Sequence, residues 1–166
     1  MKKFFFAVAT AFLIAAMSFV SASAANQLIT IKNPARSNQQ VDVRNFPYEV
    51  LRLVNVERAK VGATPLRFAK DLEASAFVRA TELPQKFSHT RPDGSTCFTA
   101  MAKRGHILGE NLAGGQTSPQ QVVQAWMDSK THRENILNKN FTELGVVYYY
   151  YPNSRFKHYW VQHFRG

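Results

Sequence analysis

Residues 144–164 run Leu-Gly-Val-Val-Tyr-Tyr-Tyr-Tyr-Pro-Asn-Ser-Arg-Phe-Lys-His-Tyr-Trp-Val-Gln-His-Phe. β-branched and aromatic residues fill both ends, and Pro152-Asn153-Ser154 between them is a turn signal. The pattern predicts an antiparallel hairpin. Side chains alternate across a strand, so of Tyr148 to Tyr151 two should pack inward and two should face out. An outward aromatic pair could grip a sugar or a lipid, although ordinary sheet packing asks for the same residues.

Between Pro47 and this hairpin several segments have helical period. Val50, Leu53, Val54 and Glu57-Arg58 fit an amphipathic helix that stops at Val61-Gly62. Leu66 sits in a connector. Leu72, Ala76, Ala80 and Leu83 mark a second helix, ended by Pro84. Asp93 or Ser95 can cap a third, short helix that Gly105 closes. Ser118-Pro119-Gln120-Gln121 has the form of a capping box, and Val122, Val123 and Trp126 follow on one side. Thr131 to Leu137 adds another helical turn or two. Helices first and strands last within one domain predict an α+β layered fold.

The N-terminus is a different kind of segment. Lys2 and Lys3 precede an apolar run from Phe4 to Val20, and Ala22-Ser23-Ala24 supplies small residues. This predicts a signal peptide over residues 1–24, cleaved at or next to Ala24, so that the product is secreted or held in the cell envelope. Residues 25–46 are polar and mixed, the composition of a flexible leader. Residues 47–166 form the domain, and nothing later is apolar enough to span a bilayer.

The 166 residues carry 21 Lys and Arg against 11 Asp and Glu, a formal charge of +10. Loss of Lys2 and Lys3 lowers this to +8. Such charge favours anionic envelope polymers or lipid headgroups. No basic helix or aromatic-basic motif points to nucleic acid. Cys97 is the one cysteine, so no intrachain disulfide forms. Its partly apolar run suits a buried structural thiol, with a reactive thiol as the sharper alternative.

Chemistry-bearing residues gather in two places. Ser88-His89 and Gly109-Glu110-Asn111 lie at two loop-like breaks around a short segment, and His132 and Glu134 follow the Trp126 helix. Two imidazoles, a carboxylate and water suit zinc in an open four-coordinate site, which can activate water. The structural alternative is that His89 and Glu110 hydrogen-bond to each other and lock two loops. No Gly-x-Ser-x-Gly supports a serine hydrolase. No spacing links His106, His158 or His163 to a site.

Taken in order, these landmarks resemble the CAP superfamily of cysteine-rich secretory proteins, antigen 5 and plant pathogenesis-related proteins, in its bacterial secreted branch. The residues that carry the likeness are Asn55 and Arg58; Phe87-Ser88-His89 with Arg91-Pro92-Asp93-Gly94; Gly109-Glu110-Asn111; Trp126 and Ser129; His132-Arg133 with Asn135-Ile136-Leu137; Phe141 and Gly145; and Tyr159-Trp160-Val161-Gln162. They span about Pro47 to Phe164. The resemblance implies a three-layer α-β-α sandwich with a central antiparallel sheet. It also implies a cleft of two histidines and two acids that in some members holds a divalent metal such as zinc.

By motif, His89 and Glu110 carry over directly, and His132 within the bacterial pattern. Those three are the candidate metal ligands. At the eukaryotic position of the second glutamate this chain has Asp128 or Ser129, and at the eukaryotic histidine it has Tyr159. Asn111, Ser129 and Glu134 are the remaining cleft candidates, and Glu110 is the one candidate for catalysis. The first functional reading is a non-enzymatic extracellular module that binds a lipid, an envelope component or a protein partner. A metal-dependent hydrolase on the same cleft is the second, and a structural or host-interaction protein with a vestigial cleft the third.

Overall fold

A computed structural model describes residues 42–166. The expected signal peptide and the leader up to residue 41 lie outside the described residues. Four helices, α1 (Phe46–Lys60), α2 (Lys70–Glu82), α3 (Pro119–Asp128) and α4 (Lys130–Leu137), accompany four strands. The strands are β1 (Arg67–Phe68), β2 (Leu108–Gly114), β3 (Glu143–Tyr150) and β4 (His158–Arg165). Sheet order is β1-β3-β4-β2. The three long strands are antiparallel, as the resemblance implies, and β1 adds a two-residue parallel edge to β3.

Local chemistry explains where the helices begin and end. Pro47 occupies the first turn of α1, where its missing N–H costs nothing. Gly62, at φ +63°, closes α1. Its N–H reaches the Ala59 carbonyl and that of Ala63 reaches Arg58, so both terminal carbonyls are satisfied by a left-handed cap. The Ser118 hydroxyl accepts the Gln121 N–H and starts α3.

The third helix expected after Asp93 does not form. Asp93 instead accepts the Ser95 N–H at 2.8 Å, Gly94 takes φ +87°, and residues 91–95 make a turn. Only Cys97–Ala100 coils, as one 3₁₀ turn. A local side-chain acceptor competed with the helix and won.

The sheet separates two cores. On one face α1, α3 and α4 bury Phe46, Val50, Val54, Val122, Trp126 and Ile136 against Val146, Trp160 and Phe164. On the other face α2 sets Ala76, Ala80 and Leu83 on Leu112, Val147, Tyr159 and Val161. This is the three-layer α-β-α arrangement. The face under α2 carries the charged groups.

Candidate functional site

One transverse row of the sheet builds the site. Register pairs Gly145 on β3 with His163 on β4, and His163 with Glu110 on β2. All three positions share the face that α2 covers. At Gly145 a Cβ would lie 2.2 Å from the Leu72 carbonyl carbon and 2.3 Å from the Glu73 nitrogen. Only glycine lets the α2 backbone come this close. Ser75 and Arg79, four residues apart on one helix face, are thereby lowered onto His163 and Glu110.

Glu110 is the hub. Arg79 donates from Nε to Oε2 at 3.0 Å, His163 Nε2 lies 3.0 Å from the same oxygen, and His89 Nδ1 lies 2.8 Å from Oε1. Both oxygens sit on a fully buried side chain. Burial pushes the carboxyl up, but the hydrogen bonds from His163, His89 and Arg79 overcome it and hold the group at about 2. The carboxylate therefore has no proton to give, so both facing imidazole nitrogens carry hydrogen. In His163 that leaves Nδ1 facing the Ser75 hydroxyl at 2.7 Å. In His89 it leaves Nε2 without a partner among the described residues, on a side chain that is 59% exposed.

Arg79 also shapes the loop that carries His89. Its Nη1 bonds Glu82 at 2.5 Å and its Nη2 bonds the Ser88 carbonyl. Glu82 in turn receives Arg91 at 2.7 Å. A bridge between Thr90 and Thr96, together with the Cys97 N–H on the His89 carbonyl, folds the loop back on itself. His89 and Cys97 are thus brought to one end of β2. There they line a cleft of about 450 Å³ with Glu110, Phe98, Leu108 and Asn135. Cys97 is buried, and desolvation with the Glu110 charge beside it pushes its thiol up to about 12. His89, Cys97 and Glu110 each bring a donor atom within 4.8 Å of the others.

The other sequence candidates fall elsewhere. Gly109-Glu110-Asn111, expected at a loop-like break, lies inside β2, so neighbours point to opposite faces. Asn111 is buried under α4. It donates to the His132 carbonyl and to Gln162, each at 3.1 Å, and accepts from Asn135 at 2.8 Å. His132 is half-buried on α4; burial, and then the nearby charge of His89, lowers its pKa. Ser129 sits at the α3–α4 junction with no capping bond from its side chain, and Glu134 is exposed on α4.

Sequence reasoning missed Ser75, Arg79 and His163. The signal was present for His163: once Gly109-Glu110-Asn111 is taken as a strand, it can pair with the final strand and set Glu110 opposite His163. Arg79 and Ser75 lie on the apolar stripe of their helix, a place where charged residues need a partner.

Comparison with known proteins agrees with this architecture. The family described as "CAP: Cysteine-rich secretory protein family" matches residues 51–164. The Bacillus subtilis protein YkwD is 38% identical over 138 residues, which are 76% of this chain and 54% of YkwD. The chain thus spans about half the length of that relative. An extracellular protein of Bacillus anthracis containing an SCP domain has the same fold at a TM-score of 0.65 and 24% identity, covering 74% of this chain and 41% of that one. NaASP2, solved with Zn2+, shares it at 0.54 and 14% identity, over 78% of this chain and 82% of its own.

Proposed function

The chain belongs to the CAP, or cysteine-rich secretory protein, family, and on that premise we propose that it is an extracellular binding module whose cleft takes a divalent cation of the zinc class, rather than an enzyme. The residues 1–24 pattern and the extracellular relative support export. Among the described residues no helix is long and apolar enough to cross a membrane.

One observation carries the non-catalytic reading: Glu110 is held by three donors and pinned near 2, while Cys97 is held near 12. A general base or nucleophile works best when its pKa lies near the operating pH. These two groups sit far to either side. A hydrolase on this cleft would have to draw its base from elsewhere, from His89, His132 or a cation-bound water.

The donor set fits a cation. Oε1 of Glu110 faces His89 Nδ1 at 2.8 Å, so an ion that replaces the Nδ1 proton there can be shared by both residues. Cys97 joins once it gives up its own proton, and nitrogen, oxygen and sulfur donors together suit zinc. His132 is the candidate for a fourth position. Such an ion would be a Lewis acid with an open site. Because the thiol must lose its proton, cation affinity falls as pH falls. The bound target is an envelope component, a lipid or a surface protein.

Metal content and zinc titration of the purified chain, set beside His89→Ala and Cys97→Ser, test this. One equivalent of zinc in the parent, lost in His89→Ala with an unchanged circular dichroism spectrum, is expected. No uptake by the folded parent removes the cation. Ester or peptide hydrolysis that disappears in His89→Ala overturns the non-enzymatic reading.

A further inference from the structure

The outer end of the α2 face carries a chain of aromatic rings that the cleft does not use. Phe77 packs on Tyr149 at 6.3 Å, and Tyr149 stacks on Tyr151 at 6.3 Å. Tyr149 is the register partner of Tyr159, which contacts Phe156 and Phe87. Phe87 and Phe156 lie 4.9 Å apart. The buried Tyr159 separates two exposed groups of rings on this face: Phe77, 49% exposed, and Tyr151, 44%, on one side, and Phe87, 44%, on the other, with Val78 exposed next to Phe77 in sequence. A domain seldom leaves exposed aromatic groups this close together without a partner.

Charge says which partner. Arg155 lies over the Phe156 ring at 5.0 Å, and Lys157 is exposed next to it. Neither has an ion-pair partner among the described residues. Lys86, on the Phe87 side, donates to the Arg91 carbonyl and has no ion-pair partner among the described residues. From Leu144 to Gly166, and from Leu83 to Pro92, the chain has no Asp or Glu. The exposed Tyr48, packed on the half-buried Phe68, is the contrast: Lys70 covers both rings and is neutralised by Glu73 at 2.8 Å.

We infer that the tip of the β3–β4 hairpin, with Phe77 and Phe87, docks on an anionic lipid surface. Exposed phenylalanines and a valine favour the acyl–headgroup boundary over a polar glycan, and tyrosine side chains are suited to that depth. Arg155, Lys157 and Lys86 meet the lipid phosphates, each basic residue strengthening partition about fivefold. The inference is independent of the cation in the cleft.

A tryptophan placed at the tip reports it directly, because the native Trp126 and Trp160 are buried. The full chain carrying Tyr151→Trp is mixed with vesicles of phosphatidylcholine alone or with 30% brominated phosphatidylglycerol. Quenching and a blue shift with the anionic vesicles only are expected. Arg155→Gln with Lys157→Gln should weaken this partition roughly thirtyfold, and Phe77→Ser with Phe87→Ser roughly tenfold. All four positions are at the surface, and an unchanged melting temperature verifies that the variants fold. His89→Ala should leave partition unaltered. An unquenched tip, equal quenching by zwitterionic vesicles, or partition indifferent to the charge substitutions overturns the inference. So does binding of a soluble anionic polymer with the tip still unquenched, which would reassign the surface to an envelope glycan.

Discussion

Two arginines are fully buried in this domain, and they are buried in opposite ways. Arg58, in the last turn of α1, meets no carboxylate. It donates to the carbonyls of Thr64, Ile136, Asn138 and Phe141, at 2.7 to 3.1 Å. Arg79, in α2, meets Glu110 and Glu82. Desolvation lowers the pKa of Arg58, whereas for Arg79 desolvation is outweighed by the two carboxylates, which raise it. One guanidinium is solvated by backbone and staples the end of α4 to α1. The other belongs to an ion cluster that reaches the cleft. A buried charge without a counter-ion reports architecture here, and a buried charge with one reports the site.

Arg58→Ala is the hardest test of that difference. It removes a large buried side chain and strips donors from four carbonyls, so a loss of about 4–5 kcal/mol is expected by urea denaturation. Since no ionic partner exists, no second substitution nearby should restore it.

Glu110→Gln comes next, at about 3 kcal/mol, because it leaves Arg79 buried beside a neutral amide. Here a partner exists. Arg79→Met alone should be comparably costly, and the two together should lose less than the sum by more than 1 kcal/mol in a double-mutant cycle. Strict additivity would mean that Arg79 resembles Arg58 after all. The same carboxylate sets acid stability. Its pKa is depressed to about 2 from an ordinary 4.5, so its contribution is complete above about 4.5 and fades as pH falls toward 2. Parent and Glu110→Gln should therefore converge in stability across that window.

The contrast also explains how much could be foreseen from the sequence. The hairpin, α1, α2 and the cap at Ser118 were legible, because periodicity and capping are local. His89 and Glu110 were legible as a pair. The role of Arg79 was not: its place on the apolar stripe of α2 asks for a partner, but nothing local says that the partner is a carboxylate 31 residues away. Nor was His163: its importance arises from register between β2 and β4, and Gly109-Glu110-Asn111 reads locally as a loop-like break rather than as part of a strand. Gly145 stood among the family landmarks, but only packing shows what it does.

Gly145→Ala tests that packing. The added Cβ meets helix backbone, not a movable side chain, so α2 must shift as a body. About 2 kcal/mol of destabilisation is expected. The shift should loosen Ser75 and Arg79 while leaving the Arg58 staple intact. Hydrogen exchange should therefore quicken in α2 and residues 83–97, but not in α1.

Ser75→Ala is the smallest change, at about 1 kcal/mol, and the most discriminating. The Ser75 hydroxyl has one proton and two neighbours that accept it: the Leu72 carbonyl at 2.9 Å and His163 Nδ1 at 2.7 Å. Nε2 of His163 already carries a hydrogen toward Glu110. If the ring holds only that proton, Nδ1 accepts from Ser75, and the alanine variant strands its lone pair. If the ring holds two, Nδ1 donates to the serine oxygen and the hydroxyl turns to Leu72. Nitrogen-15 chemical shifts of His163 separate these states. A singly protonated ring in the parent, with Nδ1 moving toward the unbonded value in Ser75→Ala, is the expected result. It would place one formal positive charge, that of Arg79, against Glu110. Two protons on His163 would set a second positive charge against Glu110 and leave Oε1 less hospitable to a further cation.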